Sequence, residues 1–516
     1  MHEMETEAPV CTAYGSTPDL SLTAALSPIV AWLALVLYGT LNPLSAVGGL
    51  SIKRSLKELR LERTSRLNVL DIFRVLAILW VMMNHTGSEG RIDILERLPS
   101  AETFKKNVHE HPIFGAFLGN SALGVEVFLV LSGLLAAKSW LRNADAPFLA
   151  HYSQFISRRL FRLLPSMILF VYIASGPIMN ALLPRFYTTM ISSCGIRGLL
   201  SHVFFVSNWQ ETPTCLGYLW YLGLDMQLYI IAPFFLHMMH RCTRRIALVG
   251  VAATVLISAV LRAGYCIGYD VCNKSDVDIP FISYPDADPE KIKGIYAGLW
   301  EMYARPYTKC GPFVIGLLFG WMSNLHHDIR LTETQSRTLF GASAALAVAT
   351  IFAILPEYWW PDMSSNVYNV LYTATFRTVF SVAIVGMMAA LIFRQQIVSI
   401  KPIWSVLARL TFNAYLLHMP VVYVFNYLPF LQTAHGAYEL LAVLPAVAAL
   451  SFAVAVVFYL FVEAPIGHFT SQIEIKIVFH PAAQPQPSAV SEKLQKQPAH
   501  SDNQLSSSDV SRAQRG

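Results

Sequence analysis

Long apolar runs recur along most of this chain and constrain its fold more than any other feature. A helix needs about 20 predominantly apolar residues to cross a bilayer. Runs of this kind lie near residues 25–47, 69–88, 117–138, 163–183, 217–239, 246–266, 310–325, 338–356, 369–393, 403–427 and 438–461. The sequence therefore predicts an all-α, polytopic membrane helical bundle with about eleven transmembrane helices. The stretch 198–208 is predicted to be an interfacial or re-entrant piece.

The composition supports the same fold class. Of 516 residues, 54% are hydrophobic and only 14% are charged, whereas soluble domains carry roughly 25% charged residues. The formal net charge of +5 is small and no block of Lys and Arg stands out, so we expect membrane lipids and no nucleic acid as partners. The seven cysteines contain no CxxC pair, and no metal site is predicted.

Basic residues set the expected orientation. Residues 1–22 contain acidic side chains and no Lys or Arg, whereas the segment after the first run contains Lys53, Arg54, Lys57, Arg60, Arg63 and Arg66. The positive-inside rule places the N-terminus outside or in the lumen and residues 51–66 in the cytosol. With eleven spans, the basic segments 138–162, 241–245, 330–337 and 394–401 also fall on the cytosolic side, as does the C-terminus.

The chain divides into four predicted segments. These are a short acidic N-terminus at 1–24, an anchor helix with a basic linker at 25–67, a transmembrane domain at 68–467 and a cytosolic tail at 468–516. The tail is rich in Pro, Gln and Ser, which predicts disorder. A cleaved signal peptide is an alternative for the first run, but its late start and acidic lead favour an uncleaved anchor.

Cysteines cluster on the predicted outer side, where disulfides persist. Cys194 and Cys215 flank one loop, and Cys266 and Cys272 flank the start of another. These are the candidate pairs, with free thiols as the alternative. Asn273 begins an Asn-Lys-Ser sequon on the same side and is a candidate glycosylation site.

The second run carries ionisable residues, which are costly inside a bilayer and therefore suggest function. Asp71 and Arg74 are three residues apart and can pair on one helix face. Arg74 and His85 are eleven residues apart, which is close to three helical turns and about 16 Å along the axis. All three side chains are therefore predicted to share one stripe.

This stripe suits transfer of an acyl group from acyl-CoA. Arg74 would bind the donor's phosphates, together with Arg158, Arg159 and Arg162 at the same cytosolic mouth. His85 would take the proton of an attacking hydroxyl. The alternative is that His85 caps the helix or contacts lipid headgroups.

Further polar residues lie within or at the ends of other runs. A carboxylate at Glu126 could face His85 and orient its imidazole. Side chains predicted to support the site are Asp71, Asp225, Gln227, Arg377 and His418. For Asp225, Arg377 and Glu463, hydrogen bonding between helices is the favoured role. A lipid or small-molecule transporter, or a non-catalytic membrane regulator, could use the same polar lining.

Seven motifs occur in order along the chain. The leading motif is Arg-x10-His at 74–85, within LDIFRVLAILWVMMNH. It is followed by GVEVFLVLSG at 124–133, RRLFRLLP at 158–165, WYLGLDMQ at 220–227 after Cys194 and Cys215, RPYTKCGPFVIG at 305–316, ARLTFNAYLLH at 408–418 and FVEAP at 461–465. This ordered set resembles the acyltransferase-3 family, and in particular its nose-resistant-to-fluoxetine-like branch.

The resemblance covers roughly residues 68–467 and implies a ten-helix core. It implies that the core moves an acyl group from acyl-CoA to a hydroxyl on a lipid, sugar or other acceptor, with no permanently bound cofactor. His85 would be the base, Arg74 would bind the donor, and Cys194 would pair with Cys215.

The sequence departs from the family pattern at two positions. Lys309 stands where Arg is expected, and Phe380 stands where Trp is common. In place of the branch's large extracellular N-terminal domain, we expect only the short acidic segment and the anchor helix before the core. The endoplasmic reticulum and the plasma membrane are both open as locations.

Overall fold

The computed structural model describes residues 21–45, 47–61, 65–87, 110–120, 123–192, 194–210, 215–273, 289–326, 328–360, 365–426, 428, 438 and 442–469. Within these ranges the protein is helical, without a β-strand and with one isolated bridge between Leu331 and Arg394. The all-α prediction is confirmed. Nearly all of the acidic N-terminus and of the tail predicted at 468–516 lies outside the described residues.

The described α-helices are numbered in chain order. They are α1 (Leu22–Leu41), α2 (Ile52–Arg60), α3 (Leu70–Gly87), α4 (Pro112–Gly119), α5 (Leu123–Trp140), α6 (Phe148–Ser175), α7 (Pro177–Leu182), α8 (Pro184–Met190), α9 (Ile196–Val203), α10 (Trp220–Arg241), α11 (Arg244–Gly268), α12 (Pro289–Ala304), α13 (Pro306–Leu325), α14 (Glu333–Phe352), α15 (Leu355–Trp359), α16 (Asn366–Ile392), α17 (Pro402–Asn426) and α18 (Leu444–Phe458).

Eight segments of the described chain are long and apolar enough to cross a membrane. They are Leu22–Leu41, Arg66–Thr86, Leu123–Asn143, Gly217–Arg241, Arg244–Gly268, Glu333–Trp359, Asn366–Ile392 and Leu444–Phe469. The other three predicted spans correspond to α6, α13 and α17, which have 28, 20 and 25 residues. At 1.5 Å per residue, even a 20-residue helix reaches about 30 Å. The protein is therefore a polytopic helical membrane protein.

Several predicted boundaries differ from the structure. The span predicted at 163–183 belongs to a helix that begins at Phe148, because the basic residues before 163 continue the same helix into its polar end. The span predicted at 117–138 is divided between α4 and α5. The stretch 198–208 overlaps the eight-residue helix α9, which is about 12 Å long and too short to cross the membrane.

Two central helices, α5 and α13, pack with their backbones in close contact. A Cβ atom on Gly133 would lie 2.1 Å from the carbonyl oxygen of Phe313, and one on Gly316 would lie 2.2 Å from that of Val130. Gly316 and Gly320 form a GxxxG pair on this face, a pattern that lets membrane helices approach closely. Small residues thus place α5 in the centre of the bundle, where nearly all its side chains are buried.

The first helix is tied to the rest of the protein by two hydrogen bonds. Trp32 Nε1 donates to the carbonyl oxygen of Phe461 over 2.8 Å, within the π-helical turn Tyr459–Glu463, and the Tyr172 hydroxyl donates to the carbonyl oxygen of Ala25 over 3.0 Å. A helix docked in this way favours an anchor over a cleaved signal peptide.

The structure contains both candidate disulfides. Cys194 and Cys215 are bonded with Cα atoms 5.0 Å apart, and Cys266 and Cys272 with Cα atoms 4.7 Å apart. The neighbouring Asn273 is buried, and its side-chain nitrogen donates to Asn369 over 2.7 Å. The predicted glycosylation of Asn273 does not fit this packing, because its side-chain amide is enclosed between helices.

Candidate functional site

The polar stripe of α3 forms as predicted. Asp71 Oδ1 and Arg74 Nη1 are 3.0 Å apart, and the other carboxylate oxygen of Asp71 accepts a hydrogen bond from Ser405 of α17 over 2.9 Å. Arg74 and His85 lie on one uninterrupted helix, about 16 Å apart along its axis. The Asp71 end of the stripe therefore faces α17.

At the other end of the stripe, His85 meets a second histidine. The His85 ring centre is 4.9 Å from that of His418, with the ring planes at 72°. His85 is 7% exposed and His418 is completely buried. Ser405 lies beside Asp71 and His418 beside His85, so α3 and α17 run in the same direction.

Tyrosines hold this histidine pair in place. The Tyr218 ring centre is 5.5 Å from that of His418 and 6.5 Å from that of His85. The Tyr218 hydroxyl donates to the carbonyl oxygen of Leu416 over 2.9 Å, and the Tyr415 hydroxyl donates to the carbonyl oxygen of Tyr218. These reciprocal bonds fix α17 against the segment leading into α10, so His418 sits in a rigid aromatic setting.

A polar residue that the sequence did not single out lies between the two ends. Asn413 of α17 is completely buried, and its side-chain nitrogen donates to Glu463 Oε2 over 2.7 Å. Ser405, Asn413 and His418 place polar groups at three levels along α17. Asn413 joins α17 to the Tyr459–Glu463 turn, whereas Ser405 and His418 contact the polar residues of α3.

The four arginines predicted to bind acyl-CoA do not share one environment. Arg159 pairs with buried Asp225, donates to Ser132 Oγ over 3.1 Å and lies 4.0 Å from the ring centre of Tyr229. Because Asp225, Ser132 and Tyr229 together hold the Arg159 guanidinium between α5 and α10, Arg159 joins these helices, and Asp225 supports Arg159 instead of the histidine site. Arg162 differs, because its side chain is exposed and its positive charge is close enough to repel the Arg74 guanidinium. Arg158 is also exposed.

Glu126 does not orient His85 as predicted. Its carboxylate lies 2.6 Å from Lys309 Nζ of α13 and 3.5 Å from Arg377 Nε of α16. Glu126 and Lys309 are completely buried, and Arg377 is 7% exposed. Because two cations on the far side of α5 attract the carboxylate, Glu126 and Arg377 belong to a buried charge cluster separate from the histidine pair.

A third buried cation belongs to this cluster and was missed from the sequence. Arg262 of α11 is completely buried and donates to the carbonyl oxygen of Thr308 over 2.7 Å and to Ser258 Oγ over 3.1 Å. Its positive charge repels the ammonium group of Lys309. The signal was present in the sequence, because Arg262 interrupts an apolar run and intramembrane charge is costly.

Gln227 also has a structural role. Its side chain donates to Asn208 Oδ1 over 2.8 Å and to the carbonyl oxygen of Phe205 over 2.7 Å, and it accepts from Trp209 Nε1 over 3.1 Å. These bonds hold the 205–209 turn against α10 and do not reach the histidines.

A cavity of about 480 Å³ lies away from both the histidine pair and the charge cluster, between residues 141–146, His240 and the end of α13.

Comparison with known proteins identifies the family to which the chain belongs. The acyltransferase-3 model, described as an acyltransferase domain, matches residues 67–461. The chain belongs to the acyltransferase-3 family. Its match contains Arg74, the two histidines and the buried charge cluster. No solved structure matches the chain.

Named relatives come from a nematode and a bacterium. The chain is 62% identical over 467 residues to Regulator of hypoxia-inducible factor 1 of Caenorhabditis elegans, covering 90% of this chain and 92% of that protein. It is 24% identical over 406 residues to Nose resistant to fluoxetine protein 6 of the same organism, covering 70% of this chain and 45% of that one. It is 23% identical over 323 residues to the O-acetyltransferase OatA of Staphylococcus aureus, covering 60% of this chain and 47% of that one.

The chain thus spans less than half the length of the last two relatives. The motifs predicted the acyltransferase-3 family and its nose-resistant-to-fluoxetine-like branch, and the comparisons confirm both. Within that branch, the 62% identity shows that the chain is similar to the nematode regulator of hypoxia-inducible factor.

Proposed function

We propose that this protein is a membrane-embedded O-acyltransferase that moves an acyl group from acyl-CoA to a hydroxyl of a lipid, sugar or small molecule. One observation carries the proposal. His85 is buried at one end of the same α3 face that presents Arg74 at the other, inside the region matched by the acyltransferase model. The relative from Staphylococcus aureus that is named an O-acetyltransferase supports the reaction class.

The residues divide the chemistry between the two ends of α3. Arg74, with Arg162 beside it, would bind the donor's phosphates by charge-assisted hydrogen bonds, and the basic segment after α1 would put this end in the cytosol. At the other end the acceptor hydroxyl attacks the thioester carbonyl while His85 takes its proton. The tetrahedral intermediate then releases the CoA thiolate, which receives the proton back from His85.

Purified full-length protein in lipid nanodiscs tests this proposal with radiolabelled acetyl-CoA. The assay follows the release of CoA and the transfer of label to lipid, sugar-alcohol or water acceptors. His85→Gln should lower turnover by about 100-fold or more, because general-base catalysis contributes about 10²–10⁴. Arg74→Ala should mainly raise KM for acetyl-CoA.

The matched control is His240→Gln, because the His240 side chain is 41% exposed at the end of α10, where it lies 3.8 Å from Asp145. We expect this variant to match the wild type. Equal turnover in the wild type and in a folded His85→Gln protein would contradict the proposed role of His85.

A second candidate function is regulation without chemistry. The observation that favours it is the name of the Caenorhabditis elegans relative, a regulator of hypoxia-inducible factor. Expression of this chain in worms that lack that relative separates the two, with a hypoxia-inducible-factor reporter as the measurement. An enzyme requires His85 for reporter rescue, whereas a non-catalytic regulator rescues equally with His85→Gln at the same protein level.

A further inference from the structure

The hydrogen bonds of His418 determine which of its ring nitrogens carries the proton. His418 Nδ1 lies 2.7 Å from the carbonyl oxygen of Tyr415, and a carbonyl oxygen can only accept. Nδ1 must therefore donate, and in a neutral imidazole the other nitrogen then carries a lone pair. That nitrogen, Nε2, is buried and finds no hydrogen-bond partner within the described residues. His418 thus holds a fixed, unused acceptor inside the protein.

The nearest imidazole to this acceptor is His85. The two ring centres are 4.9 Å apart, so rotation of the His85 ring alone can bring one of its N–H groups within hydrogen-bonding distance of His418 Nε2. Glu126, whose carboxylate was predicted to orient His85, pairs instead with Lys309 on another side of α5. The helix pairing of α3 with α17 supplies His418 in its place.

We propose that His418 is a positioning residue whose Nε2 accepts the N–H of His85 during acyl transfer. This inference rests on the proposed function of His85. The hydrogen bond would leave the other nitrogen of His85 unprotonated and directed at the acceptor hydroxyl. When His85 takes the hydroxyl proton, its N–H remains bonded to His418, which stabilises the imidazolium. The proton then passes from His85 to the departing thiolate, so His418 itself neither gains nor loses a proton.

Two substitutions separate this role from a purely structural one. In His418→Asn, the side-chain amide can still donate to the carbonyl oxygen of Tyr415, but the acceptor at the Nε2 position is gone. In His418→Gln, the amide oxygen can occupy the Nε2 position, but the donor to Tyr415 is lost. A structural role therefore predicts that Gln is the more harmful change, whereas the positioning role predicts that Asn is.

The test measures CoA release from acetyl-CoA by full-length protein in nanodiscs, with thermal stability measured in parallel. His418→Asn should lower kcat roughly 10- to 100-fold, as loss of an orienting partner does at other sites, with an unchanged KM for acetyl-CoA. His418→Gln should retain more activity than Asn even where it is the less stable protein. In His85→Gln, which has no imidazole to orient, adding His418→Asn should cause little further loss.

Contrary results distinguish this inference from the proposal it rests on. If His418→Asn has wild-type kcat, or if activity follows stability with Gln the worse variant, the positioning role is overturned while the acyltransferase proposal stands. If CoA release is independent of His85, the proposed function fails and the positioning role fails with it.

Discussion

Substitution of Glu126 should destabilise the protein more than substitution of its closest partner. Among the described residues, the cluster contains three buried cations, Lys309, Arg377 and Arg262, and Glu126 is the carboxylate that contacts two of them. Glu126→Gln leaves all three cations without a counter-charge. Lys309→Met removes one cation and leaves Glu126 beside Arg377 at 3.5 Å.

The distances give the size of this effect. At the 2.6 Å between Lys309 Nζ and Glu126 Oε1, two unit charges attract by about 6 kcal/mol at an effective dielectric constant of about 20. Part of this attraction offsets the cost of taking both groups out of water. Removing one partner of a buried pair therefore costs about 3–5 kcal/mol. We expect that loss for Glu126→Gln and a smaller one for Lys309→Met.

The assay is unfolding by SDS titration in mixed micelles, followed by tryptophan fluorescence and circular dichroism. The double variant Glu126→Gln with Lys309→Met should be more stable than Glu126→Gln alone, because the second change removes one of the uncompensated cations. The reasoning is refuted if Glu126→Gln unfolds within about 1 kcal/mol of the wild type, or if Lys309→Met is the more harmful single change.

Two further predictions concern the first disulfide and the close packing of α5 against α13. Replacing Cys194 and Cys215 by Ser opens a loop that spans 21 positions and should lower the free energy of unfolding by about 3 kcal/mol; equal stability under reducing and oxidising conditions would argue against the bridge. Gly316→Ala places a methyl group about 2.2 Å from the carbonyl oxygen of Val130 and should cost about 1–3 kcal/mol in the same titration. Gly341→Ala, which meets nothing within 4 Å, is its control and should not destabilise.

The sequence predicted features that depend on local pattern. Helical periodicity put Asp71, Arg74 and His85 on one face, and the structure confirms the Asp71–Arg74 pair at 3.0 Å. The placement of basic residues indicated an orientation in which the four cysteines shared one side, and both disulfides formed. Membrane spans could be located because a run of about twenty apolar residues matches the thickness of the hydrocarbon core when it is helical.

Features that depend on helix neighbours could not be predicted in the same way. Glu126 lies on α5, which is buried on nearly all sides, so its own periodicity does not say which neighbour it faces. The pairing of Arg159 with Asp225 joins residues 66 positions apart. The contact of His85 with His418 requires α3 and α17 to pack in parallel, which no local pattern encodes. The departure from the family pattern at Lys309 did indicate a residue of the buried charge cluster, because Lys309 is the closest partner of Glu126.

The central claim is that one face of α3 binds acyl-CoA at Arg74 and uses it at His85. A cryo-electron microscopy map of the full-length protein in nanodiscs with a non-hydrolysable acetyl-CoA analogue tests it most directly. The account predicts phosphate density at Arg74 and Arg162, with the thioester-mimicking group next to His85, on the side of its ring that faces away from His418. Density for the analogue at another surface, with the space between α3 and α17 unchanged, would contradict it.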